Sequence, residues 1–199
     1  MSSSTITQTL LLETLKIEDG VIHNLSYHQE RCTRSRKKLY GSTDILQLEN
    51  SIIAPSQGLY RCRVIYAHHI QSIEYIPYVP RNIDTLKIVS STLTYDLKYA
   101  NRRMLDTLLH QHPEADDILI EQDGYLTDTS IANIAFYDGQ TWYTPTQPLL
   151  HGTMRQKLLD DGFLQTKQIQ KEDLTQYSQV ALMNAMIGFK IIKDIRILT

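Results

Sequence analysis

Two prolines within four residues, in the run Ile76-Pro77-Tyr78-Val79-Pro80, constrain this chain more than any other feature. Proline lacks a backbone N–H and fixes φ, and it biases the residue before it away from the helical region, so neither a continuous helix nor a central strand can cross this run. Regular structure must divide there, which predicts a small α/β lobe over residues 1–80 and a larger β-rich α/β lobe over 81–199. Ahead of the prolines, Leu10 to Ile17 alternates as a strand, and Asp19-Gly20 supplies a hairpin turn into Val21-Ile22-His23. Ser26 to Leu39 carries a helical pattern stopped by Gly41, and Ile45, Leu46, Leu48, Ile52 and Ile53 recur at helical spacing, predicting a second helix over 44–54. Two strands follow at 58–66 and 70–78, with Arg61 and Arg63 alternating against Cys62 and Val64.

Beyond the prolines the pattern predicts strands at 86–90, 117–121, 125–127, 131–137, 141–144, 165–169 and 179–183. Asp123-Gly124 and Asp138-Gly139 supply turns, and helices are expected over about 100–112 and 154–161. The fold class is α+β.

Composition narrows the partner. The 199 residues are 42% hydrophobic and 21% charged with a net charge of −2, which offers no broad attraction to nucleic acid or anionic lipid. Arg34, Arg36, Lys37 and Lys38 form one short basic run, explained by a solvated helix face. No stretch of 18 or more apolar residues occurs, and the first residues lack a basic segment followed by an apolar core, so a membrane role is not expected. Cys32 and Cys62, the only cysteines, stand outside any metal-binding spacing and favour a reducing compartment. His68-His69 has no third ligand at a recognisable spacing, so no metal is expected. These features together predict a cytoplasmic protein acting on a small molecule.

A lone lysine in a polar break, within Tyr95-Asp96-Leu97-Lys98-Tyr99-Ala100-Asn101-Arg102, suits a carbonyl-reactive amine, which must lose its proton readily and be held near its target. Taken alone it reads by default as a solvated lysine ahead of a helix, since lysines are seldom buried. Other segments give it context. In order along the chain come Glu13-Thr14, Asp19-Gly20, the Tyr27-His28 to Arg31 stretch, Asp128 through Asn133, Tyr143 to Pro145, His151-Gly152-Thr153-Met154-Arg155, and Met183-Asn184-Ala185 through Gly188. From about residue 10 to residue 190 this series resembles the class IV aminotransferase family.

The resemblance implies a two-lobed fold type IV, D-amino acid aminotransferase-like enzyme, working as a homodimer with pyridoxal 5′-phosphate between its lobes. It makes Lys98 the Schiff-base lysine and proton shuttle, and Arg31 the arginine that grips the cofactor phosphate. Gly152, Thr153 and Met154 would form one phosphate-binding turn at a helix start, where backbone N–H groups suit an anion. Asn184 and Ala185 would form a second. Each also has an ordinary structural reading, as a helix arginine, a plain turn or a strand-end cap. Asp128 falls where the family usually carries a glutamate facing the pyridine nitrogen, and its side chain is shorter by about 1.5 Å. Either the backbone moves closer, a water bridges, or the ring is a weaker electron sink.

Within the family, Lys98 to Arg102, Gly152 to Gln156 and Asn184 to Met186 look most like the 4-amino-4-deoxychorismate lyase branch. That branch releases pyruvate and 4-aminobenzoate, and Arg61, Arg63 or Arg102 would hold the carboxylates of the amino substrate. A class IV aminotransferase of branched-chain or D-amino acids and a non-catalytic cofactor-binding relative are the alternatives. Two departures stand out: the family usually has about two dozen more residues ahead of the Glu13-Thr14 strand, and a glycine-rich loop where this chain has Ala67-His68-His69.

Overall fold

The structure, a computed structural model, describes residues 8–199. The described residues divide into two compact units, 8–77 with 97–101 and 78–96 with 102–199. The first boundary between them falls after Pro77. The short segment 97–101 groups with the first unit rather than with the lobe that its sequence position suggested, for a backbone reason. Leu12 N–H donates to the Lys98 carbonyl at 2.8 Å and Ala100 N–H to that of Leu10 at 2.9 Å, so this segment is bonded beside the first strand.

In the first unit, β1 (Leu11–Glu18) turns through Asp19 and Gly20, both at positive φ, into β2 (Val21–Ile22). Helix α1 (Leu25–Tyr40) follows, then β3 (Leu59–Tyr66) and β4 (Ile70–Pro77), giving an antiparallel sheet in the order β2-β1-β3-β4. Helix α1 has no proline or glycine within it. It ends where Gly41 adopts φ 68° and donates its N–H to the Lys37 carbonyl at 3.1 Å. The inward face of β1 carries Leu11, Leu15 and Ile17, which join Cys32, Cys62 and Val64 in the core.

The helix expected over 44–54 is absent. Gln29 on α1 donates to the Leu46 carbonyl and accepts from the Leu48 N–H, both at 2.9 Å, holding these groups in an irregular path. One turn at Leu48–Ile52 is all that remains, and it delivers Leu48 and Ile52 to the core. The apolar spacing reflected this docking and not a helix face. Arg36 also departs from the solvated basic face: at 1% exposure its guanidinium donates to the carbonyls of Ala67 (3.2 Å), His68 (2.6 Å) and Asp44 (2.9 Å) and to the Asp44 carboxylate (3.0 Å).

In the second unit, β5 (Thr85–Ser90) runs parallel to β6 (Asp117–Gln122), with α2 (Arg103–His110) in the intervening chain. The chain then continues through β7 (Tyr125–Thr129), β8 (Asn133–Tyr137), β9 (Trp142–Pro145), α3 (Thr153–Asp160) and β10 (Leu164–Lys167). After a 3₁₀ turn come β11 (Gln179–Asn184), β12 (Gly188–Ile192) and β13 (Arg196–Leu198). The sheet order is β10-β9-β8-β7-β6-β5-β13, with β11 paired to β8 and β12 to β11. Parallel pairs β5/β6, β9/β10 and β5/β13 fall among antiparallel ones, so the unit is a mixed sheet. Leu86, Leu119, Leu126, Ile134, Phe136 and Leu182 fill its main core. The last two strands had no counterpart in the sequence pattern, because Gly188 opens the first and Asp194 separates two apolar runs too short to read alone.

Replacing Arg36 by Met leaves three carbonyls without their donor. The expected loss of stability in urea unfolding is about 2–4 kcal/mol. Arg36→Lys should recover only part of it, since an ammonium keeps the charge but not the planar fork. A loss below about 1 kcal/mol would mean that water replaces the guanidinium at these carbonyls.

Candidate active site

The first unit contains Lys98 and Arg31. Lys98 lies at a tight turn in which Tyr99 N–H donates to the Leu97 carbonyl at 2.9 Å, and Leu11 opposite Tyr99 forms an antiparallel bridge. That anchors its backbone from both sides while its side chain stays half-buried.

Arg31 and His28, three residues apart on α1, share a face over β1 and meet Glu13 there. Glu13 and His28 are 0% exposed and Arg31 6%. Arg31 approaches side-on: Nε donates to Oε1 at 2.9 Å and Nη2 to Oε2 at 2.5 Å, while His28 Nδ1 lies 2.6 Å from the same Oε2. Burial would raise the Glu13 pKa, but the Arg31 guanidinium and the hydrogen bonds from His28 and Arg31 outweigh it and hold the carboxyl at about 2. Burial lowers the pKa of His28; Glu13 opposes the shift, and the charges of Arg31 and Lys98 reinforce it. Lys98 is therefore within electrostatic reach of this cluster. The sequence pattern included Glu13 in a motif without giving it a role. Its signal was present, since Glu13 takes an inward position in the β1 alternation, where an unpaired charge is costly.

The second unit contains Asp128, Gly152, Thr153, Met154, Asn184 and Ala185. Asp128, near the end of β7, is 3% exposed, and its two oxygens are engaged separately. Oδ1 accepts from Asn133 Nδ2 at 2.7 Å, and Oδ2 accepts from the Leu150 N–H at 2.8 Å. Asn133 Nδ2 also donates to the Leu150 carbonyl at 2.8 Å. The Asn133 amide orientation is fixed by chemistry, because both neighbours of its nitrogen are acceptors. Its oxygen then faces Gly152, where an added Cβ would stand 1.9 Å from it, so only glycine fits. Burial raises the Asp128 pKa to about 6 against the opposing pull of Asn133, the Leu150 and Leu149 N–H groups and Arg155.

Gly152 precedes α3 in extended conformation (φ −70°, ψ 144°), so the helix opens at Thr153, which is buried, followed by the half-buried Met154. Arg155 in the first turn donates to the Pro145 carbonyl at 2.9 Å. Asn184, at the end of β11, organises its own loop: Oδ1 accepts from the N–H groups of Met186 (2.9 Å) and Ile187 (3.0 Å), and Nδ2 donates to the Ile131 carbonyl at 3.2 Å. The loop at Asn184 and Ala185 is thereby tied to the turn that follows Asp128. Asn133 lay inside a recognised motif, yet nothing in its spacing assigned it a role.

The three arginines considered for substrate are differently placed. Arg61 and Arg63 lie on the sheet face opposite Glu13, since their neighbours Cys62 and Val64 pair with Leu15 and Glu13. Arg63 donates to Glu74 at 2.7 Å across β3 and β4, whereas Arg61 stands in register with Lys16. Arg102, in the second unit, donates to the Ser130 carbonyl at 2.9 Å and lies 3.7 Å from Asp106. Among the described residues no group of three or more His, Cys, Asp or Glu could hold a metal ion, and no helix is long and apolar enough to cross a membrane.

Glu13 and Asp128 respond oppositely to pH. Glu13, with its folded pKa below the ordinary 4.5, contributes stability that is present above that value and lost as pH falls through about 2. Asp128, with its folded pKa above 3.8, keeps in the native state a proton that the unfolded chain has released. Its contribution is greatest below 3.8 and is lost as pH rises through about 6. The difference in unfolding free energy between wild type and Asp128→Asn should therefore change by roughly 3 kcal/mol across this window, in wild type's disfavour as pH rises. A difference that stays constant from acid to neutral pH would contradict the raised pKa.

The family model of amino-transferase class IV matches residues 94–195. A relative from Haemophilus influenzae, itself uncharacterized, is 38% identical over 184 residues, covering 89% of this chain and 98% of the relative. A Schizosaccharomyces pombe protein named "Putative aminodeoxychorismate lyase" is 29% identical, covering 88% of this chain and 85% of its own length. Among solved structures, a "putative 4-amino-4-deoxychorismate lyase" from Haemophilus somnus superposes with a TM-score of 0.81 at 38% identity, covering 91% of this chain and 98% of that one. A "hypothetical aminotransferase from Mycobacterium tuberculosis" in its PLP-bound form shares the fold, with a TM-score of 0.73 at 17% identity over 94% of this chain and 81% of that one. Similarity at this identity along nearly the whole length, together with the family match, shows that the chain belongs to the amino-transferase class IV family.

Proposed function

We propose that this chain is a pyridoxal 5′-phosphate enzyme that cleaves 4-amino-4-deoxychorismate to 4-aminobenzoate and pyruvate, a reaction of folate biosynthesis. The observation that carries this reading is Lys98, anchored at a turn within electrostatic reach of the buried Glu13–His28–Arg31 cluster. The 38% identity to the Haemophilus somnus protein and the name of the Schizosaccharomyces pombe relative favour the lyase over the other reactions of the family.

The residues present fit the cofactor. Arg31 is held by a buried carboxylate that fixes its guanidinium plane, as a phosphate-binding fork requires. Helix α3 begins behind a glycine whose missing Cβ permits the close approach of Asn133. The N–H groups of its first turn point along the helix dipole and suit a phosphate. Asn184 and Ala185 supply a second loop, ordered by the Asn184 side chain.

In this reading Lys98 Nζ would be the covalent attachment point of the cofactor and would be freed when the substrate amine binds. Lys98 Nζ then takes the proton from the substrate ring carbon beside that amine. When bound, pyridoxal 5′-phosphate supplies an electron sink for the electron pair that this proton leaves behind. The ring C–O bond to the enolpyruvyl group then breaks with that electron pair closing the aromatic ring, which makes the reaction downhill, and the departing enolate takes up a proton to become pyruvate. Arg61, Arg63 and Arg102 are the candidate partners of the substrate carboxylates. Of these, Arg63 already faces Glu74, so Arg61 has the greater uncompensated charge in the first unit. A homodimer is part of the same proposal.

Two measurements test it. Purified protein given 4-amino-4-deoxychorismate should release pyruvate and 4-aminobenzoate with no amino acceptor present. Amino transfer from a branched-chain or D-amino acid to 2-oxoglutarate, without pyruvate release, would replace the lyase with an aminotransferase. Borohydride treatment should fix the cofactor to Lys98, and Lys98→Ala should lower turnover by at least roughly 10²–10⁴-fold. Full activity in that variant would overturn the role of Lys98, and wild type with neither turnover nor fixation at Lys98 would leave only a non-catalytic relative.

A further inference from the structure

Asp128 does more in this chain than stand where a glutamate is usual. Its oxygens and the Asn133 amide enclose one residue from both sides: the carboxylate accepts from the Leu150 N–H at 2.8 Å, and Asn133 donates to the Leu150 carbonyl at 2.8 Å. The two side chains also bond to each other at 2.7 Å, closing the arrangement. Leu150 lies two residues before Gly152, and the Asn133 oxygen fills the space where a Gly152 Cβ would be. Every backbone hydrogen-bonding group of Leu150 is thus held by a buried side chain, and the next two residues lead directly into α3. The shorter aspartate suits this task, because its carboxylate stays close to its own strand and reaches the 149–152 turn without displacing Asn133.

We infer that Asp128, with Asn133, is a positioning residue that clamps the 149–152 turn at Leu150 and so sets the N-terminus of α3 to receive the cofactor phosphate. The inference rests on the reading that this N-terminus binds phosphate. It separates two roles for one carboxylate. A group acting only on the pyridine ring affects a phosphorylated and an unphosphorylated cofactor alike, whereas a group that shapes the phosphate turn affects only the phosphorylated one. It also predicts why asparagine is a poor substitute. An amide presents one acceptor oxygen, so in Asp128→Asn the new side chain could serve either the Leu150 N–H or Asn133 Nδ2 but not both. Flipping Asn133 to compensate would withdraw its donor from the Leu150 carbonyl.

The test compares pyridoxal 5′-phosphate with pyridoxal, titrated spectroscopically into cofactor-free wild type, Asp128→Asn and Asn133→Ala, alongside amide hydrogen exchange of each protein without cofactor. Wild type should bind the phosphorylated form far more tightly. Both variants should shrink that preference by at least about tenfold, and the Leu150 amide should exchange at least about tenfold faster in Asp128→Asn. Asn133→Ala keeps the carboxylate and its charge, so it reports on the clamp even where Asp128→Asn fails to fold. Equal weakening of both ligands in Asp128→Asn, an intact preference in Asn133→Ala, or unchanged exchange at Leu150 would each overturn the inference. Wild-type protein that binds neither aldehyde would instead overturn the cofactor reading, while the exchange measurement would still judge the clamp.

Discussion

A carboxylate removed from water is costly unless donors converge on it, and Glu13 in the first unit and Asp128 in the second both meet that requirement. Glu13 is the more demanding case, because it lies fully buried on the inward face of β1 among leucines and isoleucines. Its two oxygens call for donors, and α1 supplies them from a single face, with His28 and Arg31 three residues apart. The requirement fixes the rotation of α1 about its axis and the side-on presentation of Arg31. A neutral residue at position 13 would leave the guanidinium free to adopt other rotamers, and a flexible arginine makes a weaker anion site than a fixed one.

The second unit solves the same problem with shorter reach. Asp128 has no full cation bonded to it; an amide and a backbone N–H satisfy it, with Arg155 contributing its field. This difference in donors explains why burial lifts one carboxyl towards neutrality while the other stays ionised across the ordinary pH range. Both arrangements fix geometry near proposed cofactor contacts, the side chain of Arg31 in one unit and the backbone turn before α3 in the other. The lyase reading builds on these supports, because proton transfer by Lys98 requires a cofactor held without play.

Much of the fold was readable from local pattern. Strands with strict alternation, the Asp19-Gly20 turn and the Gly41 helix stop all appear within a residue or two of their expected places, since each depends on near neighbours in sequence. The failures share one cause. The 44–54 segment has helical spacing but is captured by side chains of α1, and Arg36 looks like a surface cation but terminates three carbonyls from distant loops. Gly152 shows the same divide at the site: the sequence marks it as a turn, while the contact that excludes any Cβ comes from a residue 19 positions earlier.

The sequence by itself determined the family resemblance, the backbone restriction at Pro77 and Pro80 and the residue types of the candidate site, because ordered motifs and backbone restrictions are properties of the chain alone. Only the tertiary structure decided that Glu13 aims Arg31, that Asn133 joins Asp128 to Leu150, and that Arg63 is already paired with Glu74. These partners are brought together by strand register and helix docking. A hydrogen bond depends on separations of about 3 Å in space, which spacing along the chain does not encode.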